Sequence, residues 1–98
     1  MAQPHLTDSE LVLAEWYVSV LDYVSRCAQA VDEGNWHYLQ DKAGQLRRAA
    51  QRLAEVATEA YEAEGADRPR RDAVRAAVAL HGRHYRAGRL LHPQGGGR

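Results

Sequence analysis

From Leu13 to Val31 the apolar positions return after four residues, then three: Leu13, Tyr17, Val20, Val24, Cys27 and Val31. That is the period of a helix with a heptad seam. Ala14, Val18, Leu21 and Ala28 widen the apolar surface, Trp16 and Tyr23 flank it, and a narrow polar strip remains at Asp8, Glu15, Ser19, Asp22, Arg26, Gln29 and Glu33. A helix apolar round most of its circumference packs centrally. Thr7-Asp8-Ser9-Glu10 has the form of a capping box with Leu6 placed as a hydrophobic staple, so the spacing predicts a helix over 7–33. Gly34 and Asn35 supply a C-terminal glycine cap and the next N-cap. So short a turn sends the second helix back antiparallel.

The second helix, predicted over 36–64, carries Leu39, Ala43, Leu46, Ala50, Leu53, Ala57 and Ala60 on one seam. Large residues alternate with small ones there, which lets helix axes approach closely, and the rest of the surface is densely charged. Gly65-Ala66 ends this helix. Asp67 can cap a third over 67–91, with Pro69 tolerated in its first turn, where the missing N–H is not needed. Its apolar side is Ala73, Val74, Ala77, Val78, Leu80, Tyr85, Ala87 and Leu91; Pro93 stops it, and 92–98 reads as a flexible tail after a short extension at 1–6. The predicted fold is all-α, a single domain over 7–91. It is an up-down-up three-helix bundle with two long antiparallel helices that dimerises through its helix seams.

Composition sharpens this picture at one point, the core. Of the 98 residues 17 are Ala, and Phe and Ile are absent, so the interior is thin for a chain that must stand alone and self-association is expected. The lone Cys27 excludes an intrachain disulfide and fits a reducing compartment. No apolar run approaches the roughly 20 residues of a membrane span, and MAQPHLTDSE lacks the basic-then-apolar order of a secretory signal. A cytoplasmic location without membrane contact is the expectation. Twelve Arg against one Lys, with abundant Ala and Gly, looks like the coding bias of a high-GC bacterial genome.

The formal net charge is zero, yet residues 1–67 sum to −7 and residues 68–98 to +7. Folding the helices up-down-up brings Arg68, Arg70, Arg71 and Arg75 to the end that carries Asp8, Glu10, Glu55, Glu59, Glu62 and Glu64. Half of the basic segment is thereby matched within the fold. At the other end Lys42, Arg47, Arg48 and Arg52 come level with Arg83, Arg86 and Arg89, offset only by Asp22, Asp32, Glu33 and Asp41. Counted by ends, residues 1–17 and 55–79 sum to −5, and residues 18–54 and 80–91 to +4. The second helix also runs basic to acidic, against its own dipole. An antiparallel homodimer pairing that helix with its twin would supply the missing partners.

Candidate chemistry follows from these placements. Arg47, Arg48, Arg52, Arg83, Arg86 and Arg89 form the candidate partner-binding surface, suited to charge-assisted hydrogen bonds with carboxylates or phosphates. The leading expectation is a small non-enzymatic interaction or regulatory protein that binds an acidic protein partner. A nucleic-acid-binding accessory protein is the alternative, although helices this long do not form a helix-turn-helix reader. A third alternative is a small enzyme or metal protein using His81, His84 and a carboxylate. The two histidines lie three apart on one side of the third helix, but the chain has no Glu-x-x-His pair, and the nearest carboxylates, Glu15 and Asp22, belong to the polar strip. Arg75 and His81 resemble the Arg-x4-6-His pair of HEPN-type ribonucleases, which implies action on RNA phosphate; this chain is shorter than such domains, and the spacing alone assigns no family. His37 and Asp41 sit at i and i+4, a spacing met in surface hydrogen bonds as well as in base–orienter pairs. The two Trp and five Tyr lie on or beside the seams and are read as core and dimer-interface packing, the alternative being a small apolar ligand pocket between helices. Phosphate loops, nucleophile elbows and Cys/His zinc spacings are absent. No catalytic residue, metal site or cofactor is therefore assigned.

Overall fold

The computed structural model describes residues 5–91, with side chains up to His81. Three helices run up, down and up: α1 (Asp8–Glu33), α2 (Trp36–Glu62) and α3 (Arg71–Leu91), with a single 3-10 turn at Gly65–Asp67 before α3. This is the predicted all-α bundle.

The helix ends follow from local chemistry. Thr7 Oγ1 accepts from the Glu10 N–H at 3.2 Å, and Glu10 Oε1 accepts from the Thr7 N–H at 2.9 Å, which completes the capping box. Gly34, at φ 66°, closes α1 in the left-handed region, and its N–H reaches the Ala30 and Val31 carbonyls. Asn35 then opens α2 by accepting from the Tyr38 N–H at 3.1 Å.

The connection to α3 differs from the sequence expectation. α2 stops at Glu62 rather than 64, and α3 begins at Arg71 rather than 67, so Pro69 precedes the helix instead of occupying its first turn. Asp67 belongs to the 3-10 turn. The carbonyl of Arg70 accepts the first helical bond of α3, from Val74, and the N–H of Arg70 donates to Glu10 Oε2 at 2.7 Å. A carboxylate sixty residues away thus takes the place of a local cap.

α1 is central, as its wide apolar surface predicts. It packs along both other helices, whereas α2 and α3 barely meet. The extents of 48 × 33 × 13 Å describe three helices splayed abreast rather than wrapped round a common axis. Interaxial distances near 8–10 Å would give a much narrower bundle if all three touched.

Among the described residues the buried set is accordingly small: Ala14, Ala30, Ala49, Val56, Ala73 and Ala77, with Glu10 as the buried charged residue. Alanines occupy the contact lines because only short side chains let the backbones approach. Burying a methyl group contributes about 0.8 kcal/mol, against about 1.5–3 for a whole Val or Leu side chain. The large apolar residues are elsewhere.

Candidate functional site

Several of those large residues share one open face, while Leu21 and Leu80, also exposed, lie off it. The α1 seam read from the heptad spacing is not the interior: Tyr17, Val24 and Val31 are 44%, 48% and 53% exposed, and Leu13, Val20 and Cys27 are half-buried. On α2 the predicted seam is displaced in the same way. Ala49 and Val56 carry the contact, while Ala43, Ala50 and Ala57 are exposed and Leu39, Leu46 and Leu53 lie at its edge. Helical spacing puts Leu13, Tyr17, Val20, Val24 and Val31 within one stripe of α1, opposite the polar strip of Asp8, Glu15, Asp22, Arg26 and Glu33. The molecule is therefore a slab with one polar and one apolar broad face.

Where α2 and α3 flank the first half of α1, the apolar face sinks into a furrow. A hollow of about 560 Å³ is lined by Leu13, Tyr17, Leu53, Val74, Val78 and Arg75. It shares Leu13, Val74 and Arg75 with a second hollow of about 420 Å³ that runs past Ala57 and Tyr61 to Pro69. The charged residues in this lining, Arg68, Arg71 and Arg75, are all cationic. Trp36, 64% exposed, stands at the far end of the slab.

One ionic lock, with its carboxylate buried and its guanidinium largely exposed, holds α3 to α1. Glu10 Oε2 accepts from Arg70 Nε at 2.9 Å and Oε1 from Arg70 Nη2 at 2.9 Å, and Arg70 also donates to the His5 carbonyl. With the backbone N–H of Thr7 and of Arg70, the carboxylate accepts from four donors. Arg70 is the main reason that Glu10 is held far below the ordinary carboxylate range; burial opposes this, and the hydrogen bonds from Thr7 and the Arg70 backbone add to it. Arg70 itself is more than half exposed.

The predicted arginine surface is divided. Arg47 and Arg48 are exposed, with no carboxylate in ion-pair distance among the described residues. Arg52 instead donates to Glu55 at 2.9 Å and, with Asp8, Glu59 and Asp67, borders a hollow whose wall is mostly apolar, Val12, Val56 and Pro69 among it. That bond, helped by Gln51, holds the exposed Glu55 carboxyl below its usual range. Lys42 lies 5.3 Å from the Tyr38 ring centroid and bonds Gln45 and Asp41 locally. The side chains of Arg83, Arg86 and Arg89 lie outside the described residues, as does that of His84.

His81 is half-buried on α3, and among the described residues no three His, Cys, Asp or Glu side chains gather as metal ligands do. Among the same residues, no helix is long and apolar enough to cross a membrane. His37 is exposed at the start of α2, and the nearby Asp41 carboxylate bonds Gln45 and Lys42. The polar strip is partly bonded within itself and to α2: Arg26 bonds Asp22 at 3.1 Å and the Tyr38 hydroxyl at 3.4 Å, and Gln29 bonds Glu33 at 3.0 Å, while Asp22 Oδ1 is buried without a hydrogen-bond partner among the described residues.

The chain matches no protein-family model, no curated protein and no solved structure. Function is therefore argued from the slab itself. The furrow could not be located from the sequence, because its floor is the α1 seam, and periodicity does not say whether a seam packs within the chain or against a second one.

Proposed function

We propose that this protein is a small, non-enzymatic helical interaction protein of the cytoplasm. It assembles through its apolar face and offers exposed arginines to an acidic protein partner. The observation that carries the reading is the inversion of the packing: among the described residues the buried apolar set is five alanines and one valine, while Leu, Val, Tyr and Trp side chains stand half-buried or exposed on an open face. Contiguous apolar surface on this scale marks a protein interface. A dimer through that face leaves the polar face outward. Arg47 and Arg48, adjacent and without ion partners among the described residues, suit carboxylates approaching from outside, with Arg83, Arg86 and Arg89 extending the same end in sequence. Charge-assisted hydrogen bonds there give orientation and specificity more than raw affinity.

The test compares retention of the wild type and of Arg47→Glu/Arg48→Glu on immobilised polyglutamate and on duplex DNA as salt rises. The proposal expects retention on polyglutamate that the double variant loses. Retention on DNA alone, with a steep salt slope, would favour the nucleic-acid alternative. No retention on either, or undiminished retention of the variant, would reject the arginine surface.

A further inference from the structure

Resting on that reading, we infer that the apolar face is covered by a second copy of the same chain, inverted end for end, so that α1 lies antiparallel on its twin. Two observations choose this occupant. The first is charge. The end of the slab built from residues 1–17 and 55–79 sums to −5, and the end built from 18–54 and 80–91 to +4. Inversion sets each end on its opposite, whereas a parallel pair stacks like on like.

The second is fit. A broad face of 48 × 33 Å offers, at half coverage, the about 800 Å² per partner that a standard interface buries. The apolar stripe, exposed at Tyr17, Val24 and Val31 and half-buried at Leu13, Val20 and Cys27, runs from Leu13 to Val31 with its positions symmetric about residue 22. Full overlap of two such stripes in antiparallel order pairs Leu13 with Val31 of the second copy, Tyr17 with Cys27, and Val20 with Val24. The furrow floored by Leu13 then receives the far end of the other molecule, which presents the exposed indole of Trp36. Arg71 and Arg75 on its rim come level with Asp32 of that copy. All three are exposed in the single chain.

The pairing is tested by thiol cross-linking of the full chain, because Cys27 is the sole native cysteine and sits on the stripe. In the inverted arrangement the two Cys27 residues are ten residues apart along the paired helices, on the order of 15 Å, beyond disulfide reach. The wild type under mild oxidation stays uncross-linked while sedimenting at twice 11.0 kDa. Tyr17→Cys forms a covalent dimer, and Tyr17→Cys with Cys27→Ser does not. Leu13→Cys/Val31→Cys in a Cys27→Ser background gives an independent pair should the first variant fail to fold.

A covalent wild-type dimer through Cys27 would show parallel pairing or an antiparallel pair centred on Cys27, and either overturns the arrangement. Dimers in solution that neither engineered pair captures would overturn the register. A wild-type monomer at micromolar concentration would overturn the choice of occupant. The arginine surface is scored separately by the polyglutamate assay.

Discussion

Removing the Glu10 carboxylate tests the join between α1 and α3. In Glu10→Ala the N–H groups of Thr7 and Arg70 lose their acceptor in a part-buried setting, α1 loses half of its capping box, and α3 loses the group that receives its first free N–H. Loss of a cap costs about 1 kcal/mol, and hydrogen bonds to a charged group contribute about 1.5–3 kcal/mol each in favourable settings. Arg70 can turn to water, so its own bonds are largely replaced. The expected loss is about 2–4 kcal/mol. In a domain of this size each kcal/mol moves Tm by about 4–8 °C, so Tm falls by at least about 8 °C. Hydrogen exchange should quicken first at Ala73 and Ala77, since α3 packs on α1 and hardly on α2. The sign with pH follows from the depressed Glu10 value. Its contribution is complete above the ordinary glutamate range near about 4.3 and is lost as pH falls below that range toward the lowered folded value. Acidification should therefore narrow the gap between wild type and variant. A Tm change under about 3 °C, or faster exchange spread evenly over all three helices, would refute the lock.

Two glycines should respond with opposite signs. Gly34→Ala forces a side chain into the left-handed region at φ 66° and should cost about 1 kcal/mol through backbone strain alone, since nothing lies within 4 Å of the added carbon. Gly44→Ala, inside α2 and equally unobstructed, should stabilise by about 0.5–1 kcal/mol; paired urea titrations read both. Val24→Glu is nearly neutral for a lone chain, in which Val24 is half exposed. Across a covered stripe it desolvates two carboxylates and should weaken dimerisation at least about 100-fold, measured by dilution in analytical ultracentrifugation. Trp36→Ala should weaken it by about 10- to 100-fold, as loss of an aromatic anchor does.

The ends of α1 and the start of α2 were legible because each is decided by side chains within four residues: Thr7 with Glu10, Gly34, and Asn35 with Tyr38. The start of α3 was not. Local rules favour Asp67 as a cap with Pro69 just inside the helix, and the cap that wins is Glu10, which sequence order cannot place beside Arg70. Charge reasoning had brought Arg70 and Glu10 to the same end of the bundle without choosing the pair. The seams show the same limit. Periodicity identifies Leu13-Tyr17-Val20-Val24 as an apolar stripe, but α1 packs along two poorer lines on roughly opposite sides, one through Glu10 and Ala14 and one through Ala30, where the alanines permit close approach. Which stripe is buried within the chain and which is left for a second molecule is set by axis geometry. Of the candidate site, Arg47 and Arg48 are exposed, and Arg52 is drawn to Glu55 three residues along the same helix.

Sedimentation equilibrium of the full-length chain, at micromolar concentration and in low and high salt, tests the central claim most directly. The open-face account predicts a mass of twice 11.0 kDa that persists in high salt, because apolar burial rather than surface charge holds the pair. A salt-insensitive monomer of 11.0 kDa would contradict it.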